Sequence, residues 1–175
     1  MSVSLRDARS TAQDREWIRA VYREYLSELS TSKTGLFPVL GEWGDRENEL
    51  LAGWFADPTA HPFVILSDAR RVGFALVSRP PVFPRSDVQY RMAEFFVLGE
   101  ARRRGVGASA ACLLFNRFAG HWEVLEDEHN SPALQFWRRV IARQTQGQYS
   151  ETRGAGEVRH RFRTEAHPSM RNSDR

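Results

Sequence analysis

Residues 91–111 read RMAEFFVLGEARRRGVGASAA, and no other stretch limits the fold as tightly. The apolar run from Met92 to Leu98 reads as a strand. It is followed by a short charged turn, by Arg102, Arg103 and Arg104, and by Gly105-Val106-Gly107, after which small residues open an amphipathic segment. A strand that turns through glycines into a helix leaves the first helical N–H groups without intrahelical partners, at the positive end of the macrodipole. Glycines there let a phosphate approach the bare amides, and the guanidinium groups add long-range attraction and forked hydrogen bonds. The stretch predicts a cradle for an anion, specifically a phosphorylated cofactor.

Such a strand needs a sheet, and the flanking sequence supplies one. Val3 to Arg6 reads as a first strand, with Thr11 or Asp14 placed to cap a helix that carries Trp17, Ile18, Val21, Tyr22, Tyr25, Leu26 and Leu29 at helical spacing to about Glu28. Its aromatics read as core. Arg46 to Ala56 is a second helix, stopped by Asp57-Pro58, and Pro62–Leu66 with Val72–Val77 forms a hairpin across a turn-like SDARR. Gly73 marks either a bulge or a close backbone approach. Beyond the glycine turn, Val106, Ala110, Leu113, Leu114 and Phe118 trace a helix to Ala119, terminated by Gly120, and Trp122–Leu125 is the next strand. A right-handed crossover makes these two strands parallel. Asn130-Ser131-Pro132 opens a last helix with Ala133, Phe136, Trp137, Val140 and Ile141 on one side, and residues 148–164 close the chain as a hairpin. The expectation is one α/β domain over residues 1–166, followed by a disordered tail, 167–175.

Composition narrows the function classes. A chain of 175 residues with 41% hydrophobic content can bury a full core, and a net charge of +3 spread along the sequence asks for no nucleic-acid partner. Cys112, the only cysteine, allows no intrachain disulfide and reads as inert packing. The five histidines show no metal-ligand spacing, so no metal is expected. No apolar run approaches the ~20 residues of a membrane span and the first residues lack a signal-like core, which points to a soluble, cytoplasmic protein with no membrane contact. Residues 30–45 carry Phe37, Leu40 and Trp43 in a Gly- and Pro-containing loop, read either as a substrate entrance or as a loop tucked onto the core.

Three phosphate-binding arrangements compete for the glycine turn. The nucleotide P-loop needs a lysine and a hydroxyl residue directly after its second glycine, and both are absent. The dinucleotide fingerprint fits Gly105-Val106-Gly107-Ala108-Ser109-Ala110, with Glu126 as the ribose partner, but Gly99 to Arg104 intervenes between strand and first glycine. The third arrangement, Arg-x-x-Gly-x-Gly from Arg102 to Gly107 after a strand ending in Val97, resembles the pyrophosphate-binding motif of the GNAT N-acetyltransferase superfamily. Asn130, Ala133, Phe136 and Trp137 fall on a second pattern of that family, Asn-x-x-Ala-x-x-Phe-Tyr, and the resemblance is firm over roughly residues 88–141.

The resemblance implies a central mixed, mostly antiparallel sheet of six to seven strands with a parallel splayed pair and about four flanking helices. It implies acetyl-CoA as co-substrate, with Arg102, Arg103, Arg104, Gly105, Val106, Gly107 and Ala108 around its pyrophosphate. Phe95, Phe96 and Val97 would lie along the pantetheine, with Asn130 and Phe136 beside it. The Val97 amide would face the thioester carbonyl, where a well-aimed donor is worth on the order of 3 kcal/mol to the oxyanion that forms. Read without the family, a solvated basic turn is the alternative for Arg103 and Arg104, and a helix cap the alternative for Asn130.

Glu94 is the candidate base, since it is the only acidic residue in the MAEFFVL strand and a carboxylate among apolar neighbours holds its proton more tightly. Alternation sets Ala93, Phe95 and Val97 on one face and Glu94 with Phe96 on the other, unless a bulge intervenes. A structural pair of Glu94 with Arg91 is the other reading. Trp137 stands where many family members carry a tyrosine that protonates the leaving thiolate, which leaves Tyr90, Tyr149 or solvent for that role. The reaction implied is acetyl transfer to a primary amine on a small molecule, by a monomer or a homodimer. A non-catalytic acyl-CoA-binding module and a dinucleotide- or nucleic-acid-binding domain are the alternatives.

Overall fold

The computed structural model describes residues 1–31, 46–80 and 87–165. Its strands are β1 (Val3–Asp7), β2 (His61–Ser67), β3 (Arg70–Ser78), β4 (Tyr90–Val97), β5 (Gly120–Asp127), β6 (Tyr149–Gly154) and β7 (Glu157–Thr164). Among the described residues the helices are α1 (Ala12–Thr31), α2 (Arg46–Ala56), α3 (Val106–Arg117) and α4 (Ser131–Thr145). The strands form one sheet in the order β1-β2-β3-β4-β5-β7-β6, antiparallel throughout except for the β4–β5 pair. This is the GNAT-like arrangement expected from the sequence. Residues 32–45, with Phe37, Leu40 and Trp43, and the tail 167–175 lie outside the described residues.

Both faces of the sheet are covered, so its middle strands read as continuous apolar runs. On β2, Val64 and Leu66 join Ile18, Tyr22, Leu26 and Leu51 from α1 and α2, while Phe63 and Ile65 join Val106, Leu114, Phe115 and Ile141 from α3 and α4. Thr11 caps α1, its hydroxyl accepting from the Asp14 amide at 3.0 Å. The Asp14 carboxylate has another task. Fully buried, it takes Arg6 of β1 and Arg71 of β3 at 2.6 Å each, and these guanidinium groups hold its pKa down at about 2.

Two irregularities shape the centre. Leu76 pairs with Glu94 but Val77 pairs with Met92, so Ala93 is an extra residue bulged out of β4. Met92 therefore shares the α3–α4 face with Phe95 and Val97, which simple alternation forbids. The second irregularity is the parallel pair itself. Only Tyr90–Met92 of β4 meets Trp122–Val124 of β5, although both strands continue, and the gap between them opens beyond Met92 and Val124.

The strands extend or shift by one or two residues from the sequence reading, and two helix ends differ as well. Helix α1 continues to Thr31, past the end expected at about Glu28, and α3 stops at Arg117 with Gly120 already the first residue of β5. Gly120 has a φ of 149°, a backbone conformation that other residues rarely adopt, so it opens β5 rather than ending the helix.

Candidate active site

The turn after β4 delivers α3 with its first amides bare. A single 3₁₀ turn over Gly99–Ala101 leads to Arg103 and Gly105, both left-handed with φ of 60° and 81°. The first backbone bond of the helix runs from the Ser109 N–H to the Gly105 carbonyl at 3.0 Å, so the amides of Val106, Gly107 and Ala108 precede any intrahelical partner. No side chain caps them. Gly107 keeps the approach shallow, for a Cβ there would sit 3.3 Å from the Phe136 ring and 3.7 Å from Phe95.

Along the gap, β4 offers two more free amides. Leu98 donates to the Val72 carbonyl at 2.8 Å, which makes Val97 and Gly73 a non-hydrogen-bonded pair and turns the Val97 N–H away from β3. Phe95, opposite Ala75, is in the same phase. Gly73 is required at this crossing, because a Cβ would fall 2.2 Å from the Phe96 carbonyl oxygen.

The other end of the gap is acidic. Glu94 projects to the α1 side, where the Tyr25 hydroxyl donates to its Oε2 and Tyr25 in turn packs against Tyr22, Phe74 and Phe96. Burial raises the Glu94 pKa to about 7, the Tyr25 hydrogen bond opposes that, and the charge of Glu126 adds to it. From β5, Glu126 accepts from Asn130 Nδ2 at 2.9 Å, and burial raises its pKa as well. Arg91 does not pair with Glu94. It is bound to Glu123 at 2.7 Å, which also draws Arg159 and Arg161 and so knits β4, β5 and β7 together.

A cleft of about 1300 Å³ joins the bare amides to these carboxylates, running through the sheet from α1 to α4. The model of the acetyltransferase (GNAT) family matches residues 18–141. This chain belongs to that family. It is similar to an acetyltransferase from Thermus thermophilus at 17% identity and a TM-score of 0.66, covering 93% of this chain and 97% of the other. It is also similar to the Campylobacter jejuni N-acetyltransferase PseH in complex with acetyl coenzyme A, at 9% identity, TM-score 0.57 and coverage of 94% and 100%. A third likeness is to aminoglycoside 6'-acetyltransferase type Ii, at 13% identity, TM-score 0.64 and coverage of 96% and 100%. No curated protein matches the sequence.

GNAT enzymes use acetyl-CoA as co-substrate, and uncapped amides at a helix start beside an open strand edge suit a diphosphate with a thioester arm. Of the residues singled out from the sequence, Glu94, Phe95, Phe96, Val97, Arg102, Arg103, Gly105, Gly107, Ala108, Asn130 and Phe136 line the cleft. Arg104 is exposed away from it, and the Val106 side chain is buried in the core, leaving only its amide to the turn. Arg102 is committed within the protein, donating to the Val97 carbonyl at 2.7 Å and to Glu28 at 2.6 Å while its guanidinium covers the Phe96 ring. Asn130 both caps α4, accepting from the Ala133 amide at 3.4 Å, and steadies Glu126. Phe136 stacks on Phe95 at 5.8 Å.

Two cleft residues escape the sequence reading. Tyr25 sits in the apolar stripe of α1, where its spacing marks it as core, while Glu126 enters the sequence reading only as a ribose partner for a dinucleotide. Tyr90, packed on Phe118 and Trp122, and Tyr149, beside His160, lie outside the cleft. Cys112 lines it half-buried, with burial pushing its thiol pKa up. Among the described residues no helix is long and apolar enough to cross a membrane, and no group of three His, Cys, Asp or Glu is placed to hold a metal.

Proposed function

We propose that the protein transfers the acetyl group of acetyl-CoA directly to a primary amine of a small molecule. The single observation that carries this reading is the shared cleft, in which uncapped α3 amides, the unpaired Val97 N–H and the Glu94 carboxylate all meet one opening between β4 and β5. In this account the amides of Val106, Gly107 and Ala108, with Arg103, hold the diphosphate, and Asn130 and Phe136 flank the pantetheine.

The acceptor enters as an ammonium, which has no lone pair. Glu94 removes one proton, the freed amine attacks the thioester carbon, and the Val97 N–H steadies the oxyanion. Collapse breaks the C–S bond and expels the thiolate, the second proton on the nitrogen passes to water, and Glu94 returns its own proton to solvent before the next turnover. Trp137 cannot supply a phenolic proton, and a thiolate of intrinsic pKa about 8.5 leaves without one. Tyr25 acts as a positioning residue that fixes the Glu94 carboxylate. A small acceptor is supported by the fold's likeness to an aminoglycoside acetyltransferase.

Release of free CoA thiol from acetyl-CoA, followed across small amines, aminoglycosides, peptides and lysine-bearing proteins, tests this. Turnover with small amines supports it, and turnover confined to peptide or protein acceptors would replace the acceptor class.

A further inference from the structure

The cleft is lined by charges of both signs. Arg102 and Arg103 line the end near α3, whereas Glu94 and Glu126 face the gap from its two separate arms. Neither carboxylate has a cationic partner among the described residues, since Glu94 takes the Tyr25 hydroxyl and Glu126 takes the Asn130 amide. Arg91 is spent on Glu123 and Arg102 on Glu28, while Arg103, Arg139 and Arg143, which also line the cleft, form no ion pair with either carboxylate. Two desolvated carboxylates that no guanidinium neutralises make a place suited to a positive charge.

We propose that Glu126 is an acceptor-binding residue, holding the incoming ammonium from the β5 arm while Glu94, on the β4 arm, takes its proton. The inference deepens the reading above and rests on it. It defines the acceptor class by charge, as amines that arrive protonated. Burial supports the assignment from both sides, because each carboxylate keeps its proton more readily than in water and is relieved when a cation comes between them. Asn130 Nδ2, at the N-cap of α4, and the Asp127 backbone N–H fix the Glu126 side chain, and the Asp127 carboxylate, next along β5, adds like charge.

The test needs no knowledge of the natural acceptor. Affinities are measured calorimetrically for S-(2-aminoethyl)-CoA and S-(3-aminopropyl)-CoA, which carry an ammonium just past the sulfur, and for neutral S-propyl-CoA. The wild-type protein is expected to prefer the better ammonium thioether by about tenfold or more, the order of one charge-assisted hydrogen bond. Glu126→Gln, which keeps an oxygen for Asn130, should erase most of that preference while holding S-propyl-CoA within about twofold of wild type. An unchanged preference in Glu126→Gln, or an equal loss for all three ligands, overturns the proposal. Failure of S-propyl-CoA to bind the wild-type protein would instead remove the cofactor reading beneath it.

Discussion

Tyr25 donates its hydroxyl to Glu94, joining the fourth turn of α1 to the middle of β4 across 69 residues of sequence. The carboxylate is thus fixed in an aromatic enclosure, with burial holding its pKa at about 7. A base must be ionised to accept a proton, so kcat/KM should rise with pH through neutrality and level off above it. Glu94→Gln should lower kcat by about 100-fold or more and remove that limb, with acetyl-CoA affinity retained. Tyr25→Phe deletes a bond that favours the ionised carboxylate, so its limb should move to higher pH. A pH–rate profile of each variant checks both, and profiles that match wild type would retire Glu94 as the base.

The diphosphate site should be sensitive to a side chain at Gly107, where a Cβ already meets the Phe136 ring at 3.3 Å and a larger group stands over the bare amides. Gly107→Val is expected to weaken acetyl-CoA binding by about tenfold or more, since it obstructs the helix amides that bind the anion. Calorimetric titration measures it, with circular dichroism to confirm that α3 persists.

Gly73 links the fold to the same site. A methyl group there would enter the space 2.2 Å from the Phe96 carbonyl oxygen, and backbone cannot rotate away as a side chain would. Gly73→Ala should therefore cost about 2 kcal/mol in urea unfolding, within the range for overpacking, and lower turnover by displacing the Val97 amide. Loss of stability without loss of activity would show that the β3–β4 crossing and the gap move independently.

Asp14 should contribute to the acid limb of stability, together with Glu151, whose pKa Arg138 also holds at about 2. The folded pKa of Asp14, about 2, lies below the ordinary 3.8, so its contribution is present above pH 3.8 and disappears as pH falls toward 2. The shift corresponds to about 2 kcal/mol. Asp14→Asn, which leaves Arg6 and Arg71 without their carboxylate partner, should be less stable at neutral pH and lose less stability than wild type on acidification across that window. Parallel curves of unfolding free energy against pH would contradict this.

How far the sequence discloses the molecule depends on the range of the interaction. The anion cradle is written in consecutive residues, Arg102 to Ala108, because glycine backbone freedom and helix-end amides are local properties. The parallel pair follows from the order strand, helix, strand. The orientation of β4 is different, since one bulged residue, Ala93, breaks the count that places side chains on faces, and nothing in MAEFFVL marks it. Tyr25 is hidden by its own spacing, which is that of a core position, and its partner is remote in sequence. Glu126 matters only because β5 diverges from β4, a consequence of packing that no local pattern encodes.

A crystal structure of the complex with acetyl-CoA tests the account most directly. The account predicts diphosphate oxygens within hydrogen-bond distance of the Val106, Gly107 and Ala108 amides, and the thioester carbonyl on the Val97 N–H, between Glu94 and Glu126. A diphosphate bound away from the start of α3, or a thioester that does not enter the gap between β4 and β5, would contradict it.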